Sequence, residues 1–143
     1  MQLLNKNTDY AIRALIYLAQ RRKVFTSSRE ISDNGNIPLQ FVRRILQDLK
    51  QANFLDSKEG ATGGVKLIKD PSVISLTAII ELFQGKVQIS ACMFRNKICP
   101  NRSECVLRNR ILSIEQKMIL EFQALTIQTL IDDMEIGNEK KNN

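Results

Sequence analysis

The stretch SSREISDNGNIPLQFVRRILQDLKQANF, residues 27–54, has the pattern of two helices joined by a short turn. Ser27, followed three residues later by Glu30, forms a capping-box pattern and predicts the start of the first helix. Gly35 is predicted to supply the positive φ that ends this helix. A second helix is predicted to begin at Pro38, because proline in a first helical turn gives up no hydrogen bond. Together these features are typical of a helix-turn-helix.

The predicted second helix has one apolar and one polar face. Four apolar residues follow the i, i+3, i+4, i+7 spacing of a buried face: Val42, Ile45, Leu46 and Leu49. In a helix-turn-helix, the second helix enters the major groove, where arginine reads guanine edges and glutamine reads adenine. The residues of this unit predicted to contact DNA are Ser28, Leu39, Gln40, Arg43, Arg44 and Gln47.

The flanking segments predict a winged helix. Upstream, residues 8–22 (TDYAIRALIYLAQRR) place apolar residues at helical spacing. Downstream, residues 54–71 (FLDSKEGATGGVKLIKDP) have strand-like ends around a glycine-rich centre, which predicts a hairpin. Lys58 and Lys66 flank this hairpin and are predicted to contact phosphate or the minor groove. Residues 75–85 (SLTAIIELFQG) predict another helix that ends at a glycine.

The C-terminal third carries a heptad-like apolar seam. Its members are spaced by four or three residues: Leu107, Ile111, Ile114, Met118, Phe122, Leu125 and Thr129. This spacing predicts one long helix over residues 107–135. These 29 residues at 1.5 Å each span roughly 44 Å, which one small domain cannot cover. A second copy of the chain is the simplest cover, so a homodimer is predicted; packing against its own subunit is the alternative.

The formal charge of +6 on 143 residues is unevenly distributed. Residues 1–70 contain twelve Lys and Arg against seven Asp and Glu, whereas the remainder contains nine against eight. A basic half joined to a nearly neutral half favours a polyanion such as double-stranded DNA as the partner. A basic surface that is merely solvated is the simpler alternative. The predicted fold class is mainly α with a small β wing.

Other classes of protein fit less well. No run approaches the ~18 apolar residues of a membrane span. The N-terminus lacks the basic and apolar regions of a secretory signal, so a cytoplasmic location with reduced thiols is expected. The chain contains no histidine and shows no phosphate-binding loop, which argues against an enzyme. Neither a membrane nor a small-molecule substrate is expected as a partner.

All three cysteines lie in residues 89–111 (ISACMFRNKICPNRSECVLRNRI), with the spacing C-x6-C-x5-C. This spacing differs from the close CxxC pairs of zinc ribbons and from ferredoxin runs. Several arginines and a lysine nearby favour the thiolate, which is the form that binds metals. On spacing alone, Cys92, Cys99 and Cys105 are compatible with zinc, with an iron–sulfur cluster or with a thiol redox switch.

The order of these motifs resembles the Rrf2 family of winged-helix transcription regulators, which includes IscR-like and NsrR-like iron–sulfur sensors. The resemblance covers nearly the whole chain and rests on TDYAIRALIYLA, IPLQFVRRILQDLKQANFL, GATGGVKLIKDP, SLTAIIELFQG, the three cysteines and LTIQTLIDD. It implies a homodimer crossed through its long helices. It also implies an iron–sulfur cluster near the interface, with four irons favoured over two, held by Cys92, Cys99 and Cys105.

The resemblance also indicates where a fourth ligand lies. IscR-like members use a histidine three residues after the last cysteine, a position that Arg108 occupies here. NsrR-like members use an aspartate early in the first helix of the partner subunit, and the matching residue is Asp9. Water, a small thiol or an open iron site are the alternatives. Two wing positions depart from the family pattern, with Glu59 in place of a common arginine and Val65 in place of a common aromatic residue.

These features divide the chain into a winged helix-turn-helix domain (residues 1–85), a cysteine loop (86–106), a dimerisation helix (107–135) and a flexible tail (136–143). The expected function is that of a homodimeric repressor whose iron–sulfur cluster senses nitric oxide, redox state or iron. One alternative is a cluster-free member that regulates sulfur metabolism or uses its cysteines as a redox switch. An iron–sulfur carrier or scaffold is a further alternative.

Overall fold

The computed structural model describes residues 3–89 and 99–141. Its elements are α1 (Lys6–Gln20), α2 (Ser28–Gly35), α3 (Leu39–Gln51), β1 (Leu55–Lys58), β2 (Gly64–Leu67), α4 (Leu76–Gln84), α5 (Val106–Ala124) and α6 (Ile127–Lys141), with a short 3-10 turn at Pro71–Val73. The two strands pair antiparallel as a hairpin. This arrangement confirms the predicted fold class, mainly α with a small β wing.

The core lies where α1, α2, α3 and α4 meet, and it is built from one face of each helix. The four predicted apolar positions of α3 are all buried, and Leu49 is completely inaccessible to solvent. They pack against Leu15 and Leu18 of α1 and Ile31 of α2 in one continuous cluster. Burial of a side chain of this size contributes about 1.5–3 kcal/mol. The same packing leaves the opposite face of α3 in solvent.

The start of α2 confirms half of the predicted capping box. Ser27 Oγ accepts a hydrogen bond from the backbone N–H of Glu30 at 3.2 Å. The carboxylate of Glu30 does not return a bond to Ser27, because it accepts from the Tyr17 hydroxyl at 2.9 Å and pairs with Arg21 at 2.9 Å. Partial burial and the bond to Glu30 raise the pKa of Tyr17. The Glu30 side chain therefore links α2 to the end of α1 instead of capping the first turn of α2.

The end of α2 differs from the prediction by one residue. Asn36, not Gly35, adopts the left-handed conformation, with φ 49° and ψ 49°. Gly35 is the last helical residue, and a Cβ at that position would approach Ile37 Cδ1 to 2.9 Å. Asparagine tolerates this region better than other residues with a Cβ, because its short polar side chain bonds locally. After this turn, α3 begins at Leu39, one residue later than predicted.

The predicted continuous helix over residues 107–135 is wrong. The chain leaves the helical conformation at Leu125, with φ −76° and ψ 117°, and α6 begins at Ile127. Thr126 and Thr129 cap the new helix reciprocally. The backbone N–H of Thr126 donates to Thr129 Oγ1 at 2.8 Å, and that of Thr129 donates to Thr126 Oγ1 at 3.1 Å. These bonds satisfy N–H groups that a helix start leaves without partners.

Backbone bonds to the segment before α4 also hold the break. Leu125 O accepts from Leu76 N at 2.8 Å, and Ile127 N donates to Ile74 O at 3.0 Å. Ile127 and Ile131 of α6 then enter the core, whereas α5 has no buried residue and packs along α4. Among the helices in the described parts of the chain, none combines the length and apolarity needed to cross a membrane.

Candidate nucleic-acid interface and cysteine loop

Helix α3 presents a polar face to solvent. Gln40, Arg43, Arg44 and Gln47 are all exposed, as the sequence predicted for a DNA-reading surface. Leu39 is half-buried in the first turn of α3, and Ser28 is half-buried at the start of α2. The turn between the helices is fixed by Ser32 Oγ, which donates to Ile37 O at 2.6 Å. The four exposed residues therefore share one face of α3, opposite its buried face.

The two neighbouring arginines of α3 have different surroundings. Arg44 lines an open cavity of about 440 Å³ together with Asp48 of its own helix and Phe83 of α4. Arg43 is not among the cavity-lining residues, and neither arginine has a carboxylate within ion-pair distance in the described structure. Since Asp48 shares the surroundings of Arg44, Arg43 is the better candidate for reading a base.

The β1–β2 hairpin places both predicted wing lysines on one face. Lys66 lies directly opposite Asp56, and Lys58 lies directly opposite Gly64. Alternate residues of a strand share a face, so these four positions line the outer side of the hairpin. Lys58 is exposed, and the Lys66 ammonium lies 4.0 Å from a carboxylate oxygen of Asp56. A cationic surface beside α3 is therefore present, although Asp56 offsets part of its charge.

An isolated β-bridge, which was not predicted from the sequence, supports this hairpin. Thr26 pairs with Val65 through two backbone bonds, with Thr26 N donating at 2.8 Å and Thr26 O accepting at 2.9 Å. The preceding residue, Phe25, lies under both wing lysines, with Lys66 Nζ 4.7 Å and Lys58 Nζ 6.0 Å from its ring centroid. The β-prone triplet Val24–Phe25–Thr26 was the signal that could have predicted it.

Gly64 makes this bridge possible. Its φ of 143° lies in a region that other residues rarely adopt, and a Cβ at this position would collide with the backbone oxygen of Thr26. The glycine-rich centre was predicted only to allow a tight turn. In the structure it also allows the backbone of Thr26 to approach β2 closely.

Two of the three predicted metal-binding cysteines lie within the described residues. Cys99 and Cys105 are free thiols, and both are half-buried. Cys105 is the N-cap of α5, where its Sγ accepts the backbone N–H of Arg108 at 3.4 Å. Cys92 lies outside the described residues. In the described ranges, no three His, Cys, Asp or Glu side chains lie together in a way that could hold a metal ion.

The chemistry of this donor set fits a metal cluster. A thiol at a helix N-terminus receives backbone N–H groups and the positive end of the helix dipole, both of which favour the thiolate. Arg108 takes the place of a possible histidine ligand, and its side chain cannot bind a metal. Its backbone N–H instead supports the Cys105 sulfur. Cysteine sulfur is the soft donor type that iron–sulfur clusters use, so Cys99 and Cys105 are suitable residues to hold one.

Asp9, the predicted fourth ligand, lies in the first turn of α1. Its carboxylate pairs with Arg13 at 2.8 Å, and both side chains are 46% exposed, which leaves the carboxylate accessible. The start of α1 is joined to the end of α4 by Gln84. Gln84 Oε1 accepts from Thr8 Oγ1 at 2.6 Å and from Asn5 N at 2.9 Å. The turn that carries Asp9 is therefore fixed relative to the residues from which the cysteine loop begins.

The residues predicted to form the dimer interface divide between two helices. We call the five on α5 the α5 stripe: Leu107, Ile111, Ile114, Met118 and Phe122. Leu107 and Ile114 are 68% and 58% exposed, whereas the other three are half-buried. Leu125 lies at the break, and Thr129 caps α6. The predicted seam of seven residues is therefore not one straight line.

Comparison with known proteins places this arrangement in a family. The model of the Rrf2 family, described as an iron-dependent transcriptional regulator, matches residues 4–133. The transcriptional regulator NsrR of Bacillus subtilis is 27% identical over 95 residues, which is 66% of this chain and 65% of that protein.

Solved structures show the same fold. The global cysteine regulator CymR of B. subtilis superposes with a TM-score of 0.74 at 22% identity, over 92% of this chain and 98% of that one. IscR of T. potens gives a TM-score of 0.70 at 21% identity, over 94% and 89% of the two chains. Because the family match extends over the winged helix, the cysteine loop, α5 and the first half of α6, the chain belongs to the Rrf2 family of transcriptional regulators, which are not enzymes.

Proposed function

We propose that this regulator is a homodimeric repressor that binds an operator through α3 and the wing, with an affinity set by an iron–sulfur cluster on the cysteine loop. The observation that carries the proposal is the half-buried free thiol of Cys105 at the N-terminus of α5, on a chain with an exposed recognition helix. Cys92, Cys99 and Cys105 would hold the cluster, together with Asp9 of the partner subunit.

The DNA-binding part of the proposal is supported by the polar face of α3. A dimer presents two such helices, which suit half-sites about 34 Å apart or a multiple of that spacing. We expect Arg43→Ala to weaken binding by about 1–3 kcal/mol and to relax base preference at one position of each half-site. Competition among single-base variants of a selected duplex measures this preference. A uniform loss across all variants would assign Arg43 to a phosphate.

The route from the cysteine loop to DNA follows the helices. Cys105 begins α5, α5 exposes Leu107 and Ile114 to a partner, and Leu125 joins α5 to α6, which is anchored in the winged-helix core. A cluster supplies a centre whose assembly or loss responds to nitric oxide, oxidants or iron supply. The position of α5 against the core then sets the separation of the two recognition helices. A coupling of about 1–3 kcal/mol changes operator affinity about 5–150-fold.

Anaerobic purification with visible absorbance and iron and sulfide analysis tests the cluster. Wild type is expected to be coloured and to contain both elements, whereas Cys105→Ala is expected to lose them. Ser103→Ala, in the same loop, is the matched control. A colourless, iron-free wild type after strict anaerobic handling would refute the cluster. That result would favour the second candidate, a cluster-free regulator of sulfur metabolism, which the fold shared with the global cysteine regulator CymR suggests.

The role of Asp9 is tested separately. Native mass spectrometry of Asp9→Asn is expected to show cluster loss or altered cluster species, because an amide is a poorer iron ligand than a carboxylate. Arg13→Ala is the matched control, since it breaks the 2.8 Å ion pair with Asp9 but keeps the carboxylate. Equal cluster loss in both variants would show that the ion pair matters, not ligation by Asp9.

A further inference from the structure

Phe25 lies on the outer side of the wing, between the two lysines that the proposed function assigns to DNA. The hairpin register puts Lys58 and Lys66 on one face, and the bridge between Thr26 and Val65 holds Phe25 beside that face. The ring lies 4.7 Å from the Lys66 ammonium and 6.0 Å from that of Lys58. Ammonium groups within about 6 Å of an aromatic centroid are attracted to the ring face.

A carboxylate competes for one of these lysines. Asp56 lies on the outer face with an oxygen 4.0 Å from the Lys66 ammonium, and the chain carries a second carboxylate, Glu59, directly after Lys58. A carboxylate that pairs with a lysine cancels its charge and occupies its donors. An aromatic ring has a negative face, so it attracts the ammonium, offers nothing to the carboxylates and leaves the positive charge in place. A ring is therefore the partner that orients a lysine and still leaves it able to bind a phosphate.

We propose that Phe25 is a positioning residue for DNA binding, which holds the ammonium groups of Lys58 and Lys66 over its ring and directs them towards the phosphate backbone. The inference rests on the wing contact of the proposed function. It explains why a hairpin that carries Asp56 and Glu59 can serve a polyanion. It also gives Gly64 a functional role, because a side chain there would displace Thr26 and, with it, Phe25.

The test is a double-mutant cycle, read by fluorescence anisotropy on a duplex that this protein selects from a random-sequence pool, across a salt series. Lys66→Met is expected to weaken binding and to lower the salt slope by about one. Phe25→Leu keeps an apolar side chain and removes the ring face, and is expected to weaken binding about two- to fivefold for each lysine held. In the Phe25→Leu background, Lys66→Met is expected to cost two- to fivefold less than in wild type.

Two control variants separate positioning from folding. Phe25→Tyr retains the ring and is expected to bind as wild type does. Lys69→Met removes a lysine that lies 4.1 Å over a different ring, Phe54, and is expected to stay within twofold of wild type. If Phe25→Leu merely damaged the hairpin, the thermal midpoint would fall; an unchanged midpoint assigns the loss of affinity to the missing ring face.

Three outcomes are distinguishable. A non-additive cycle with Phe25→Tyr rescue supports the inference. Suppose the lysine variants weaken binding, but Phe25→Leu either has no effect on affinity or adds its full effect to that of Lys66→Met. This result overturns the inference and leaves the wing contact standing. If Lys58→Met and Lys66→Met change neither affinity nor salt slope, the wing contact itself is wrong, and the positioning role is wrong with it.

Discussion

Helices α5 and α6 adjoin in the chain and share one heptad-like pattern, yet they have opposite environments. Ile127 of α6 is fully buried and joins the winged-helix core, whereas α5 has no buried residue along its 19-residue length. Both helices have apolar residues at suitable spacing, so spacing alone does not say which surface covers them. The start of α6 is thus part of the winged-helix core, whereas α5 keeps apolar side chains exposed to solvent.

The break between the two helices creates this difference. A straight helix through Leu125 would carry Ile127 away from Ile74, to which its backbone N–H now donates. The break therefore lets α6 enter the core while α5 packs along α4.

The largest effect on stability is expected from shortening a buried side chain of α6. Ile127→Ala should lower the free energy of unfolding by about 2–5 kcal/mol, because it leaves a cavity among fully buried neighbours. Leu120→Ala on α5, where the side chain is 59% exposed, should cost no more than about 0.5 kcal/mol. Urea denaturation at one fixed protein concentration measures both. Equal losses would mean that α5 and α6 do not differ as described.

The next effect concerns the α5 stripe. If a second copy covers it, Ile114→Glu should weaken self-association at least about tenfold, since a charge replaces a buried apolar contact. Gln116→Glu, on the same helix outside the stripe, adds the same charge and should leave association unchanged. Sedimentation equilibrium over a concentration series compares the variants. An unchanged dimer in Ile114→Glu would leave the α5 stripe without its proposed partner.

Sequence alone predicted the elements whose periodicity and end signals agree. The apolar face of α3, the hairpin and the glycine that ends α4 are confirmed because each combines a repeat with a cap or a turn residue. The break at Leu125 was missed because it contains neither glycine nor proline. Its only signal, the hydroxyl pair Thr126–Thr129, is weak as a helix start.

Tertiary contacts decided what the sequence could not. Phe25 was missed because its importance comes from a bridge between residues 26 and 65, which are far apart in the chain. The free energy that favours Asn36 over Gly35 in the left-handed position likewise depends on the packing of Ile37 beneath the turn. The cysteine count and the Rrf2 resemblance identified candidate ligands, while the geometry around Cys92 stays a prediction.

A smaller effect on stability is expected where α5 meets α6. Thr129→Val keeps the shape of the side chain but removes the oxygen that accepts from Thr126 N, so stability should fall by about 1 kcal/mol. Thr129→Ser keeps the oxygen and should cost clearly less. Thr129 was predicted to be a dimer contact; if it serves only as the cap, neither variant should shift the sedimentation equilibrium. A dimerisation defect in Thr129→Val with normal stability would restore the original prediction.

The smallest effect on stability is expected at Asp70, which precedes the 3-10 turn that packs against α6, and this effect depends on pH. The hydrogen bond from the Ser72 hydroxyl lowers the pKa of Asp70 most, the bond from the Ser72 backbone N–H comes next, and the charge of Arg22 adds to both. Arg22 also donates to Gln128 of α6. Because the pKa is lower in the folded state, the stabilisation from Asp70 is present above about pH 4, the ordinary value for aspartate. It is lost as the pH falls through the folded-state pKa.

The difference in unfolding free energy between wild type and Asp70→Asn should therefore shrink as the pH is lowered from about 6 to about 3. Arg22→Gln is the matched control. Its own difference from wild type should depend on pH only weakly, because the bonds from Ser72 outweigh the attraction of Arg22 for the carboxylate. A difference between wild type and Asp70→Asn that stays constant over this range would show that the pKa of Asp70 is the same in both states. Any loss in that variant would then come from the cap geometry and not from the charge of the carboxylate.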